Sequence, residues 1–362
     1  MKRKLLCSFI VLSLLMLAGC DGKISDADTS SDTYTNELSG SFGETASSYD
    51  SSYAPDSEAT SGNITGVSSS MNVFINTENG QIASGLAEKQ DLNKGLSLTV
   101  YTSFMPESSL HFSQAEADIY VFCNGQVINH SEDKESTPSE KTRHTISLTT
   151  MNSIPIYIPP TSIGDYEDAL LWICINYMPD YVAQDGMGEV QMTGLWYVPI
   201  TSHGKGDTPS LYEADEENYL VGIRPTTSGG ENINAPYIDI GTYSEKYHST
   251  SKYTMDDLSR IDSDTDFALT AYLESDADYY FAVFRNGELL DAFDGKSFMN
   301  GSFCGGKRMI KYSFDKALLP QNGVYSYNVI AMPTEAEISD DGSDFAVSYR
   351  RRITIAVNEN PS

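Results

Sequence analysis

The sequence predicts an all-β protein, and three observations carry that prediction. After Ser70 there is almost no stretch of helical period; short apolar and aromatic runs alternate with Gly, Pro, Asn, Asp and Ser, the pattern of strands joined by turns. Two of these runs end in Asn-Gly, at Asn124-Gly125 and Asn286-Gly287, a pair that tolerates the positive φ angles of a tight hairpin. The runs also recur in the same order in two halves of the chain, so the body reads as two copies of one β-unit.

In chain order, the copies open at Asn72 to Ile75 and at Tyr237 to Ile240. Leu96 to Tyr101 has its counterpart in Phe267 to Tyr272, and Ala117 to Gly125 matches Ala277 to Gly287. The returning hairpin strands are Gln126 to Ile128 and Glu288 to Leu290. Trp172 to Pro179 parallels Ser326 to Pro333, both ending in Met-Pro, where proline cannot donate to a ladder. Val190 to Ile200 and Phe345 to Val357 close the two copies.

About seven short strands per copy, with turn signals between them, resemble an immunoglobulin-like or fibronectin-like sandwich. The resemblance implies two tandem β-sandwich domains, residues 71–203 and 235–358, without pointing to a specific family. The run Leu319 to Tyr327 is similar to the approach to a late strand in such domains, where a tyrosine hydroxyl pins a corner. In the first copy Gly164-Asp165-Tyr166 is similar but differently spaced. Residues 204–234 form a polar, glycine-rich linker in which Tyr219 to Ile223 reads as one strand.

At the N-terminus, Lys2, Arg3 and Lys4 precede an apolar run from Leu5 to Leu17. A basic end before a short apolar core makes an export signal, and the run falls short of the roughly 20 apolar residues of a spanning helix. It closes on Leu17-Ala18-Gly19-Cys20, which resembles the lipobox of bacterial lipoproteins. That resemblance implies removal of residues 1–19 as a signal peptide and fatty acylation (palmitate among the chains) at Cys20. The mature protein is then expected on the outer side of a cell membrane, at the cell surface in a Gram-positive envelope. In a Gram-negative host, Asp21 would resemble an inner-membrane retention signal. Residues 20–70 are rich in Ser, Thr, Asp, Glu and Gly with Lys23 their one basic residue, so a disordered tether is predicted, roughly 40 Å in root-mean-square span.

The formal charge is −28, and losing three basic residues and no acid with the leader leaves −31. Such a protein is repelled by phosphate backbones, which excludes nucleic acid as a partner. Of five cysteines, Cys7 leaves with the leader, Cys20 takes lipid, and Cys123, Cys174 and Cys304 stay. Cys123 and Cys174 lie in strands of one copy; the sequence leaves open a bridge or two buried thiols.

For catalysis the residues offer little. His111, His130, His144, His203 and His248 include no zinc-hydrolase spacing, and there is no Gly-x-Ser-x-Gly elbow. Cys304, within Gly301 to Gly306, reads as a thiol on a connecting loop. Asp262, Asp264 and Asp266 alternate as calcium loops do, but Phe267 and Tyr272 stand where an EF-hand needs Gly and Glu. What is left is a looser inter-strand calcium site, with Asp276 or Asp278, or a solvated turn. Trp196 reads as core, whereas Tyr243, Tyr247 and Tyr253 cluster in a polar segment between strands, where binding loops concentrate. The expectation is therefore a non-enzymatic surface lipoprotein that binds a protein or glycan or acts as a spacer. The alternative from another class is a secreted carbohydrate-active or peptidoglycan-modifying enzyme. A stalk is a further option, because small joints between tandem domains leave a rod's angle adjustable.

Overall fold

The computed structural model describes residues 39–42, 61–108, 113–183, 192–206, 209–226, 232–233, 235–251, 266–273, 276–315, 318, 323–338 and 344–357. Cys20 lies outside them. The described chain is built of strands and a few short 3-10 turns, and none of its helices is long and apolar enough to cross a membrane.

One strand plan occurs twice. In the first copy an outer sheet runs in the order Ser61–Thr77, Leu96–Ser108, Asn152–Ile158. Its inner sheet runs Lys141–Ser147, Gln114–Cys123, Tyr166–Tyr177, Thr193–Ser202. The second copy repeats this with an outer sheet of Tyr237–Ser244, Phe267–Tyr272 and Met309–Ser313. Its inner sheet is Phe298–Ser302, Asp278–Arg285, Gly323–Pro333, Tyr349–Val357. Seven principal strands split three and four between two sheets are an immunoglobulin-like arrangement. The long strand Ser61–Thr77 begins ahead of Met71, and Ser39–Phe42 pairs with it, so both enter the stretch read as a loose tether. In the linker the strand is Leu211–Glu213, paired in parallel with Phe298–Ser302; Tyr219 makes an isolated bridge to Ile310.

The repeat in the sequence is slipped by two residues in the structure. Phe122 pairs with Trp172, whereas its counterpart Phe284 pairs with Asn328 and not with Ser326. An even slip keeps each side chain on its face, so the copies retain the same inside and outside.

Alternation along the inner strands explains the packing. In Gln114–Cys123, Ala117, Ile119, Val121 and Cys123 enter the core of the first sandwich, while Tyr120 and Phe122 point the other way. In Tyr166–Tyr177 the odd positions Leu171, Ile173 and Ile175 do the former, and Leu170, Trp172 and Cys174 the latter. The second inner sheet mirrors this: Tyr279, Phe281 and Val283 face their own sandwich, Ala282 and Phe284 face the first. The central strands of both inner sheets are thus buried on both faces, and a third apolar layer joins the copies. Cys123 and Cys174 consequently lie on opposite faces of one sheet, as two free, buried thiols.

This seam replaces the adjustable joint expected of tandem domains. Residues Asn36–Ser362 form one compact unit instead of parting between the copies. Phe284 sits edge-on to Tyr120 at 5.2 Å between ring centres, and Phe122 edge-on to Phe298 at 5.5 Å. The two Asn-Gly turns are pressed into the joint. A Cβ on Gly287 would fall 2.4 Å from Pro179, and one on Gly125 would fall 2.2 Å from Leu211, so glycine serves for closeness as well as for its positive φ. Polar groups complete the seam. Tyr120 Oη donates to the Gly287 carbonyl at 2.9 Å, Trp172 Nε1 to that of Pro333 at 3.2 Å, and Asn328 Nδ2 to Asn176 Oδ1 at 2.9 Å. Asp118, fully buried, accepts a forked pair of bonds from Arg143 at 2.6 and 2.8 Å. Lys141 bridges Asp118, at 3.7 Å, and Glu288 of the other copy.

Arg352 is the strongest of these ties. From the last strand it donates to the carbonyls of Tyr177 (2.7 Å), Met178 (2.8 Å), Pro179 (3.1 Å) and Tyr181 (2.9 Å), and through Nε to Ser326 Oγ (2.5 Å). Burial pulls its pKa down to about 10, leaving it charged at neutral pH. Within the second copy, Tyr327 Oη donates to the Leu318 carbonyl at 2.9 Å, which is the tyrosine corner expected there. In the first copy Tyr166 lies over Gly164, where a Cβ would meet its ring at 2.7 Å.

Two outcomes follow for stability. Arg352→Leu strands buried carbonyls on the other copy and is expected to cost about 3 kcal/mol in urea unfolding; Arg352→Lys rescues little, because a point charge cannot span four acceptors. Phe284→Ala, at the centre of the seam, is expected to cost about 3–5 kcal/mol while unfolding stays a single transition. Separate transitions for the two copies would contradict a fused body.

Candidate functional site

The tyrosine segment folds as a hairpin on the second outer sheet. Tyr237–Ser244 turns back into Ser249–Ser251, with Tyr243 opposite Thr250 and Ser244 opposite Ser249. His248 takes a positive φ of 50° to make the turn, and its amide donates to the Ser244 carbonyl at 2.8 Å. Ile238 and Ile240 enter the core, so alternation sends Tyr243 to the opposite face.

There Tyr243 meets three groups. Its hydroxyl lies 3.0 Å from His248 Nδ1, and its amide donates to the Asp266 carbonyl at 2.8 Å. Lys311, from the strand Met309–Ser313, places Nζ 4.2 Å from the ring centre and 2.5 Å from Asp266 Oδ2. Burial raises the phenol pKa of Tyr243, and the negative charges of Glu245 and Asp266 push the same way. Tyr247 occupies the turn: Lys246 stands 4.8 Å from its ring centre, and its carbonyl accepts from Thr226 at 2.8 Å. A similar cation–ring pair, Lys307 over Tyr219 at 4.3 Å, sits further along the second copy.

The structure thus assembles Tyr243 and Asp266 and keeps Tyr247 on the same hairpin, while Tyr253, Asp262 and Asp264 lie outside the described residues. Lys311 and His248 escaped the sequence reading. Inward Ile310, Tyr312 and Phe314 mark Lys311 as outward by alternation, but nothing local names its partner two strands away. The Asp266 carboxylate is neutralised by Lys311, and Asp276 by Arg308 at 3.1 Å. Among the described residues no group of three or more His, Cys, Asp or Glu side chains is gathered. Ammonium groups stand over the rings of both tyrosines, where a sugar would otherwise stack.

The other candidates are dispersed. Trp196 is half-buried against the first core and donates to Ser84 Oγ at 2.6 Å. Cys304 is exposed in the 3-10 turn Cys304–Gly306. His203 is exposed beside Asp165 at 3.2 Å, and His130 and His144 sit together inside the first copy around Thr142.

No protein-family model matches the sequence, and no curated protein does. Among solved structures, the chain is similar to the chaperone–tip adhesion subunit pre-assembly complex of archaic chaperone-usher Csu pili from Acinetobacter baumannii. Identity there is 8%, with 75% of this chain and 95% of that chain covered and a TM-score of 0.18. It is also similar to cadherin-like domains 1 to 4 of zebrafish RET, at 8% identity, 80% and 66% coverage, and a TM-score of 0.12. At these scores neither likeness carries an argument about ligand or partner.

Lys311→Met tests the geometry of the hairpin. Removing the cation leaves Asp266 uncompensated beside the phenol, so an absorbance titration is expected to show the Tyr243 pKa rising further. The stability cost is expected to stay below about 1 kcal/mol, as for other partly exposed pairs.

Proposed function

We propose that this chain is a lipid-anchored protein held at the outer side of a cell membrane through Cys20, acting there as a non-enzymatic binding component of the envelope. The observation that carries the reading is the order of basic residues, short apolar core and Leu17-Ala18-Gly19-Cys20 at the N-terminus. Two or three acyl chains on one cysteine give lasting attachment, each buried methylene contributing about 0.8 kcal/mol. Residues 21–38 are polar and acidic in sequence and suit a spacer between lipid and body.

The contact surface in this reading is the hairpin bearing Tyr243 and Tyr247. Half-buried rings with ammonium groups over them favour a protein partner over a stacked sugar, because tyrosine and lysine stems supply apolar area with polar tips. An enzyme would need convergent, perturbed groups open to a cleft; His130 and His144 converge on Thr142, but His130 is buried.

Mass spectrometry of the protein from its native membrane is expected to find Cys20 as the N-terminal residue and diacylated or triacylated. Cys20→Ser is expected to abolish the modification and move the protein out of the membrane fraction. An unmodified thiol at that position would remove the anchor from the reading.

A further inference from the structure

Residues 128–140 close one side of the first sandwich. Leaving the Asn124-Gly125 hairpin, the chain exchanges backbone bonds between His130 and Ser139 (2.9 Å each way). It then crosses to the edge strand Asn152–Ile158, where Ser131 donates to Tyr157 at 2.9 Å and Tyr157 returns a bond at 2.7 Å. This crossing ties the free edge of the outer sheet to the inner sheet. His130, the residue that starts it, is completely buried.

The imidazole is held by a directional chain of hydrogen bonds. His130 Nδ1 lies 3.2 Å from the Ile128 carbonyl, which can only accept, so Nδ1 carries hydrogen and Nε2 is bare. Thr142 Oγ1, 3.1 Å from that Nε2, must then donate to it. The same oxygen lies 3.2 Å from His144 Nε2, and His144 Nδ1 stands 3.5 Å from the Glu132 carboxylate, which can only accept, so the neutral ring carries its hydrogen at Nδ1.

We propose that His130 is the release of an acid-opened clasp: protonating it frees residues 128–140 from the edge strand Asn152–Ile158 while the rest of the fold stands. The order of protonation follows from the bonds. A first proton enters at His144 Nε2, nearer the surface and with the Glu132 carboxylate beside the ring, and Nε2 then donates to Thr142 Oγ1 while Thr142 still donates to His130. A second must enter at His130 Nε2. There it meets the Thr142 oxygen already receiving a hydrogen from His144, so two N–H groups face one hydroxyl whose own hydrogen has lost its acceptor, and the backbone of Ile119 offers a further bond that burial outweighs. The new charge also sits without a carboxylate in contact.

The surrounding charges do not relieve this. On Gln114–Cys123, Glu116 is engaged by Thr145 at 2.9 Å and Asp118 by Arg143 and Lys141. On the loop itself, Glu132 faces His144, and Asp133 caps the amides of Glu135 and Ser136 at 3.0 and 2.8 Å. From the edge strand comes only Tyr157, with Lys134 over its ring at 5.7 Å. Burial accordingly holds His130 well below the ordinary imidazole range, at about 4. A histidine depressed in the fold contributes stability that is complete above its unfolded pKa and is lost as pH falls toward the folded value.

Hydrogen exchange on the mature chain, corrected for intrinsic rates, tests this between about pH 7 and pH 3.5, the range around a depressed histidine. Protection at the amides of Ser131, Ser139 and Tyr157 is expected to fall up to about tenfold per pH unit through the window, as for one-proton linkage, while amides of the seam strands keep theirs. The midpoint is expected to coincide with the imidazole titration of His130 followed by NMR in the same protein, and His130→Gln is expected to flatten the acid response. Protection that persists to the acid end, that falls only together with the seam, or that falls away from the His130 midpoint overturns the proposal. So does an unchanged acid response in H130Q; should that variant not fold, the wild-type comparison of midpoints decides alone.

Discussion

Two sheets whose central strands are covered on both faces set the terms for everything else in this molecule. A strand lying in such a sheet has no face on which a charged or mobile side chain is free of cost. This explains why Tyr166–Tyr177 runs through buried residues from Ala169 onward, and why Asp118 and Arg352 are held there by several hydrogen bonds each. Arg352 shows how a charge is kept under those conditions. Its planar fork meets several backbone dipoles at once, each carbonyl bearing part of the compensation that a single carboxylate would otherwise supply.

The seam also decides what kind of body the chain can be. Joints between tandem modules bend when little surface crosses them. Here aromatic rings interlock, both Asn-Gly turns lie against the opposite copy, and the last strand is bonded to the carbonyls that follow Tyr166–Tyr177. The two copies therefore move together as one block. For the hairpin around Tyr243 this means a fixed platform, its position set by a sheet that is itself backed by the seam.

Much of the fold was legible before any coordinates. Apolar alternation, two Asn-Gly turns and repeated strand order point to an all-β body of sandwiched sheets, and the run Leu319 to Tyr327 to a corner pinned by a tyrosine hydroxyl. What escaped was the relation between the copies. Tyr120, Phe122, Trp172, Ala282 and Phe284 make their strands continuously apolar, and a continuous run tells that both faces are buried without telling by what. The same limit hid the site: Tyr243, Tyr247 and Asp266 stood out as residue types, whereas Lys311 acquires its meaning from a register two strands distant, and the His130–Thr142–His144 chain from a loop that returns to its own sheet. The two-residue slip of the repeat was invisible because an even slip changes no residue's side.

The order of synthesis gives the seam a further meaning. The first copy leaves the ribosome ahead of the second, and its finished inner sheet then presents Tyr120, Phe122, Leu170 and Trp172 to water with nothing to cover them. Such a surface invites association with other chains until its mate is complete. A chain built this way is best served by completing both copies together, so the architecture disfavours stepwise folding of one module after another.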